Sequence, residues 1–147
     1  MNIVSNLLRK KGNEVFSVGP DLPIISALEL MAEKKIGAVI VLEDQAIVGV
    51  FSERDFSRKV AENKELSLEL PVRVMMTEGV FFISPDLTID ECMAIMTKQR
   101  IRHLPVLKNG QVIGLISIGD VVKSLIEDKD LLINSMEKYI LGIGYGE

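Results

Sequence analysis

The sequence repeats itself at an offset of 65 residues, from Val15 to Val80. Val15-Phe16 returns as Val80-Phe81, and Pro20-Asp21-Leu22 as Pro85-Asp86-Leu87. Ile24 falls on Ile89, Met31 on Met96 and Ile36 on Ile101. Val41-Leu42 falls on Val106-Leu107, Gly49 on Gly114, Ser52 on Ser117 and Asp55 on Asp120. No gap is needed between residues 15 and 60. A chain duplicated in one register folds as two copies of one unit. Two copies are too few for a solenoid, so they imply a closed, pseudo-symmetric pair.

Each copy reads as β-α-β-β-α. A short strand, 15–18 or 80–83, meets a Pro-Asp turn. In the helix that follows, Ile24, Ala27, Leu28 and Met31 recur at helical spacing, as do Ile89, Cys92, Met93 and Met96. Thr88 and Glu91 form a capping box; Pro23 replaces Thr88 in the first copy and suits a first helical turn. Two strands come next, 38–43 and 46–51, joined through Asp44-Gln45. Their counterparts, 104–107 and 111–116, are joined through Asn109-Gly110, a strong hairpin signal. One such unit has too little core to stand alone, so the two are expected to pack sheet to sheet in an α+β fold. The predicted boundaries are 1–14 for an N-terminal helix and lead-in, 15–61 and 80–126 for the units, and 62–79 for the linker. Residues 127–147 are read as a charged break at 127–130, a separate C-terminal helix and a tail. Leu132, Met136, Tyr139 and Ile140 line one face of that helix, which is too short to be stable alone.

The chemistry gathers where the last strand of each unit meets its last helix. Ser52 precedes Asp55 by three residues, and Ser117 precedes Asp120 by three. Ser-x-x-Asp at a helix start is a capping box and needs no ligand. It also presents a hydroxyl, a carboxylate and free helix N–H groups at one corner, where ligands bind well.

Composition excludes several classes. The net charge of −4 argues against a general nucleic-acid surface. One cysteine excludes a disulfide framework and a cysteine zinc cluster. Cys92 and the Met75-Met76 pair are read as core filling. No apolar run reaches the ~20 residues of a membrane helix, and the N-terminus lacks a signal peptide's pattern, so a cytoplasmic protein is expected. There is no phosphate-loop or dinucleotide glycine motif and no nucleophile constellation, so no enzyme activity and no catalytic cofactor are expected.

Two β-α-β-β-α units, each ending Gly-apolar-apolar-Ser-x-x-Asp, resemble a tandem pair of cystathionine β-synthase (CBS) domains, a Bateman module. Ile101-Arg102-His103-Leu104-Pro105-Val106 looks like that family's segment before its second strand. Val74-Met75-Met76-Thr77 looks like the approach to a second CBS motif. The resemblance covers residues 12–126. It implies adenosine nucleotides in clefts between the units, with Ser52 and Asp55, or Ser117 and Asp120, at the ribose, and Gly119 among the nucleotide-binding residues. It implies a base framed by Ser17-Val18 and Ile36-Gly37-Ala38, or by Phe82-Ile83 and the Ile101 to Pro105 segment. It further implies crossed halves: Asp55 shares a cleft with Arg102 and His103, and Asp120 with Gly37 and Ala38.

The residue chemistry agrees. A carboxylate accepts both donors of a ribose diol with charge-assisted strength. Arg54, Arg102 and His103 can meet phosphate, whereas Gly37 and Ala38 put no such cations in the other cleft. Each also has a plainer reading: a solvated charge for Arg54 and Arg102, a structural histidine for His103. The expected function is a sensor of AMP, ADP, ATP or NAD(H) that regulates an unidentified partner protein in trans, as a homodimer, with no binding to nucleic acid or membrane. A structural dimerisation module with empty clefts is the alternative.

Overall fold

The computed structural model describes residues 2–12 and 14–141. The order is α1 (Val4–Lys11), β1 (Ser17–Val18), α2 (Ile24–Lys34), β2 (Ala38–Glu43), β3 (Ala46–Ser52), α3 (Glu53–Glu62), a 3-10 turn (Val72–Val74), α4 (Ile89–Gln99), β4 (His103–Lys108), β5 (Gln111–Ser117) and α5 (Ile118–Leu141). The fold is α+β, in two units. β1 runs parallel to β2, and β2 antiparallel to β3. β4 and β5 are antiparallel.

The repeat holds down to the backbone. α2 and α4 both end on a left-handed residue, Lys35 and Arg100, each at φ 55°. Both hairpins turn on two left-handed residues, Asp44-Gln45 and Asn109-Gly110, as the tightest hairpins require. The second copy has a glycine there and the first does not.

One expected strand is nearly lost. The segment 80–83 makes a single parallel bridge, Ile83 to Val106, the counterpart of Val18 to Val41. In the first unit Ile40 N–H donates to the Phe16 carbonyl at 3.3 Å. Its counterpart is Pro105, which has no N–H, so nothing holds Phe81 in the ladder. The first unit's strand is also shorter than expected, at Ser17–Val18.

The two lead-in segments cross over. α1 precedes the first unit in sequence, yet Val4, Leu7 and Leu8 are buried with Ile89, Cys92, Met96 and Leu104 of the second. Val4 N–H donates to the Leu87 carbonyl at 2.8 Å, and Ile89 N–H to that of Asn2 at 3.1 Å. The linker does the reverse: Val72 and Met75 join the first unit's core beside Ile24, Met31 and Phe51. Thr77 bridges Val50 of β3 through paired backbone bonds of 2.8 and 3.0 Å. Two glycines admit these crossings. A Cβ on Gly49 would lie 2.7 Å from Met76 Sδ and 2.9 Å from the Thr77 carbonyl oxygen; one on Gly114 would lie 2.6 Å from Leu8 Cδ2.

Cys92 is fully buried, as expected of core filling. Burial foremost, then the nearby Glu91, pushes its thiol up to about 11, so it stays protonated.

The expected break at 127–130 does not occur: α5 runs unbroken from Ile118 to Leu141. Charge alone does not stop a helix, and this stretch holds neither glycine nor proline. Met136 is 51% exposed. The side chains of Leu132, Tyr139 and Ile140, and the tail 142–147, lie outside the described residues.

Candidate ligand clefts between the two units

Both Ser-x-x-Asp corners are formed as capping boxes. Ser52 N–H donates to Asp55 Oδ2 at 2.9 Å, and Asp55 N–H returns to Ser52 Oγ at 3.1 Å. At the second corner the distances are 2.8 Å from Ser117 N–H to Asp120 Oδ2 and 3.1 Å in return. Each corner is tied to its own pre-strand segment: Glu53 N–H donates to the Gly37 carbonyl at 3.0 Å, and Ile118 N–H to that of Arg102 at 2.8 Å. The cap uses mainly one carboxylate oxygen, so it does not exhaust the acceptor capacity of either aspartate.

Each corner then faces a cleft completed by the other unit. The Asp55 cleft encloses about 400 Å³ and includes Ser52, Arg54, Ile101, Arg102 and His103. The Asp120 cleft encloses about 520 Å³ and includes Ser117, Ile36, Gly37, Ala38 and His103. The halves cross as the resemblance implies. Gly37 and His103 line both clefts, so the two stand back to back.

Six expected residues line neither cleft, among them Ile83, which is buried in the second core. Ser17 is exposed, Val18 is buried in the first core, Phe82 is 62% exposed, and Pro105 is buried within β4. Gly119 is exposed, and a Cβ there would lie 3.6 Å from Ser117 Oγ. Phe16 and Phe81 take the place expected of Ser17-Val18 and Phe82. The clefts take the start of each expected lead strand, Val15-Phe16 and Val80-Phe81, rather than its later residues.

Several residues missed in the sequence complete the clefts. Arg58 and Arg100 join Arg54 and Arg102 around Asp55, opposed by Glu53 and Glu78. Arg58 lies one helical turn beyond Asp55, a spacing that could have revealed it. Thr77 Oγ1 donates to Asp55 Oδ1 at 2.9 Å; only the lead-in crossing brings it there. The Asp120 cleft does hold cations, contrary to expectation: Lys11 and Lys35 line it. Lys11 Nζ lies 2.6 Å from Asp120 Oδ2 and 2.6 Å from the Leu115 carbonyl oxygen. Burial alone would raise the Asp120 carboxyl; the Lys11 ammonium and the Ser117 N–H outweigh it and hold the group below its usual value. His103 is shifted below its ordinary value, chiefly by burial and then by the Lys11 ammonium.

A model of the CBS domain matches residues 4–62 and 72–127. The chain belongs to the CBS domain family. It carries two such domains in tandem, and the boundaries at 4 and 72 take in both crossed lead-ins. It is 31% identical to the CBS domain-containing protein CBSX3, mitochondrial, of Arabidopsis thaliana, over 97% of this chain and 73% of that protein. A CBS-domain protein from Agrobacterium tumefaciens superposes with a TM-score of 0.80 at 44% identity, covering 84% of this chain and 98% of that one. CBSX2, solved in complex with AMP, shares the fold with a TM-score of 0.73 at 22% identity, over 88% and 99% of the two chains.

No metal-binding cluster of histidine, cysteine, aspartate or glutamate occurs among the described residues, and no helix there is long and apolar enough to cross a membrane.

Proposed function

We propose that this CBS pair is a ligand-operated regulatory module that takes an adenine nucleotide in the Asp55 cleft and acts on a partner protein in trans. One observation carries the reading: a capped carboxylate, an exposed aromatic ring and four guanidiniums converge on one cleft between the units. The Asp55 carboxylate suits a ribose diol, the Phe81 ring suits a base, and the guanidiniums suit phosphate. The AMP complex of CBSX2 supports a nucleotide in a pair of this fold. Ser52, Asp55, Phe81, Arg102 and His103 are the proposed contacts there, and Ser117 and Asp120 their partners in the second cleft. AMP, ADP, ATP and NAD(H) are the ligands to compare. Calorimetric titration of that panel into the purified protein tests the reading, and silence across the panel overturns it.

A homodimer belongs to the same proposal. Val122 and Ile126 lie one turn apart on α5, are 39% and 51% exposed, and offer an apolar face to a second copy. Light scattering at tens of micromolar tests this. A dimer with no response to any nucleotide would favour the purely structural alternative.

A further inference from the structure

The two clefts should be alike by the repeat, and one of their differences divides the second of them. Arg58 lies three residues after Asp55 and lines its cleft. The counterpart of Arg58 is Lys123, three residues after Asp120. Lys123 does not line the Asp120 cleft. It lines a separate recess of about 230 Å³, together with Lys10 and Ser124 and opposed by Glu127. Lys11 and Asp120 line both the cleft and the recess. Their ion pair is therefore the wall between them. What forms one space at the Asp55 corner is divided in two at the Asp120 corner.

We propose that Lys11 is a latch: the end of α1 occupies the acceptor position of Asp120 and shuts the second cleft against ligands whose phosphate would reach Lys123. The inference rests on the nucleotide reading given above and concerns the regulation of the second site. Asp120 Oδ2 already accepts from Ser117 N–H at 2.8 Å and from Lys11 Nζ at 2.6 Å. An sp² oxygen has two lone pairs, so it has none left for a diol; the matching oxygen of Asp55 is filled by its own cap, Ser52 N–H and Oγ–H at 2.9 Å each, and there only a neutral hydroxyl has to turn away. A ribose that grips both carboxylate oxygens must displace the ammonium. Displacement joins the recess to the cleft and uncovers Lys10 and Lys123 to an anionic group. The latch is releasable, because Lys11 and Asp120 side chains are 39% and 26% exposed, and such ion pairs are weak and screened by salt. The anchor behind it is firm: Val4, Leu7 and Leu8 are buried in the second core. Release therefore moves the lysine side chain and the last turn of α1, and leaves the rest of the helix in place.

Two measurements test the latch. The first needs no nucleotide. Trace acetylation of the intact protein, read by peptide mass spectrometry, compares Lys11 with its neighbour Lys10. Lys11 should label more slowly than Lys10 in wild type, and the difference should vanish in Asp120→Asn or in high salt. Equal labelling in wild type overturns the latch, whatever the protein binds. The second uses AMP in an Asp55→Ala background, which leaves only the second cleft. Adding Lys11→Ala should tighten AMP there by roughly 2- to 5-fold, the range of a half-exposed ion pair. Adding Lys11→Met, which removes the charge and keeps the bulk, should give a smaller gain. Weaker AMP binding in Lys11→Ala would make the lysine a phosphate contact instead and overturn the proposal, as would no change. If wild type and these variants bind none of AMP, ADP, ATP and NAD(H), the nucleotide reading falls, while the labelling result still decides the latch.

Discussion

At the Asp55 corner the donor arriving from outside the cap is a neutral hydroxyl, Thr77. At the Asp120 corner it is an ammonium, Lys11. Both donors come from a crossed lead-in, and both bond the carboxylate proposed above as the ribose contact. The difference in charge sets the two clefts apart. Thr77 leaves the Asp55 carboxylate with its full negative charge, and it can rotate away for the cost of one exposed hydrogen bond. Lys11 neutralises Asp120 and holds the Leu115 carbonyl as well. The surroundings amplify the contrast: Arg54, Arg58, Arg100 and Arg102 line the first cleft, whereas the second has no arginine in its lining and holds Lys11 and Lys35, with Glu14 beside them. A duplicated scaffold thus keeps one geometry while charge diverges at its mouth. Geometry is fixed by buried residues that must match in both copies. Exposed charges carry no such constraint.

The harshest way to break the comparison is to remove one carboxylate at a time. A hydrogen bond to a charged group contributes about 1.5–3 kcal/mol, so Asp55→Ala should weaken AMP at that cleft by roughly 10- to 150-fold. Asp120→Ala should leave that affinity within about 2-fold, as expected for a change remote from the contacts. Titration calorimetry of both variants separates the clefts. Undiminished AMP binding in Asp55→Ala would remove the site. Both variants lose half of a capping box, so a modest fall in Tm accompanies each.

The lead-in crossings give a second contrast, in stability. Gly49→Ala drives a Cβ into the Thr77 carbonyl oxygen, a backbone atom, as well as into Met76. Gly114→Ala meets only the end of the Leu8 side chain. Overpacking of this kind costs roughly 1–3 kcal/mol when the neighbour cannot yield. Gly49→Ala should lie at the upper end and Gly114→Ala at the lower, by urea denaturation. Gly49→Ala should also weaken AMP, because shifting Thr77 disturbs Asp55. Equal destabilisation by both would show that the Thr77 backbone yields as readily as a leucine side chain.

A third contrast uses the ligand. Arg102→Ala should weaken AMP by roughly 2- to 5-fold, as for other exposed charge pairs, and leave adenosine nearly unchanged. Equal losses for both ligands would show that Arg102 meets base or ribose. AMP affinity at the Asp55 cleft should also fall more steeply with salt than adenosine affinity, since exposed charges are screened.

The repeat made most of this molecule legible. Matched apolar positions gave both cores, and the Asn109-Gly110 turn and the Ser-x-x-Asp corners announced themselves. Residues whose role depends on the lead-ins were not legible. Lys11 and Thr77 lie far in sequence from the aspartates they touch, and no local pattern records that α1 packs on the second unit. Pro105 was visible all along; its effect on the strand at 80–83 follows only once Ile83 and Val106 are known to pair. The offset between Phe81 and Phe82 was ambiguous for the same reason. Without a strand register, either ring could have faced the cleft. The unbroken α5 shows the converse error, since charge was read as a break where only glycine or proline would have made one.

The smallest effect concerns the one side chain that belongs to both clefts. His103 faces Lys11 and Asp120 on one side and Asp55 and Arg102 on the other, with Glu53 close by across Gly37. Burial first, and then the Lys11 ammonium, lower its pKa below the ordinary 6.5, while the two aspartates act against this. The unfolded chain therefore takes up this proton first as pH falls. Stability from His103 is present above about pH 6.5, declines as pH falls toward the folded value, and is flat below it. A bound phosphate acts in the opposite sense. It favours the imidazolium, so the His103 contribution to AMP affinity should grow across the same interval in which the fold weakens. The phosphate itself takes up a proton near pH 6, which masks the trend in wild type alone. The useful quantity is the ratio of AMP affinities in wild type and His103→Gln, measured from pH 8 to pH 5.5 with Asp120→Ala present to silence the second cleft. The ratio should rise by a few-fold as pH falls, the size expected of one partly solvated charge pair. The same ratio for adenosine should stay flat. A flat ratio for both ligands would make His103 a structural histidine, and the two clefts would then be linked through the backbone of Gly37 rather than through a shared charge.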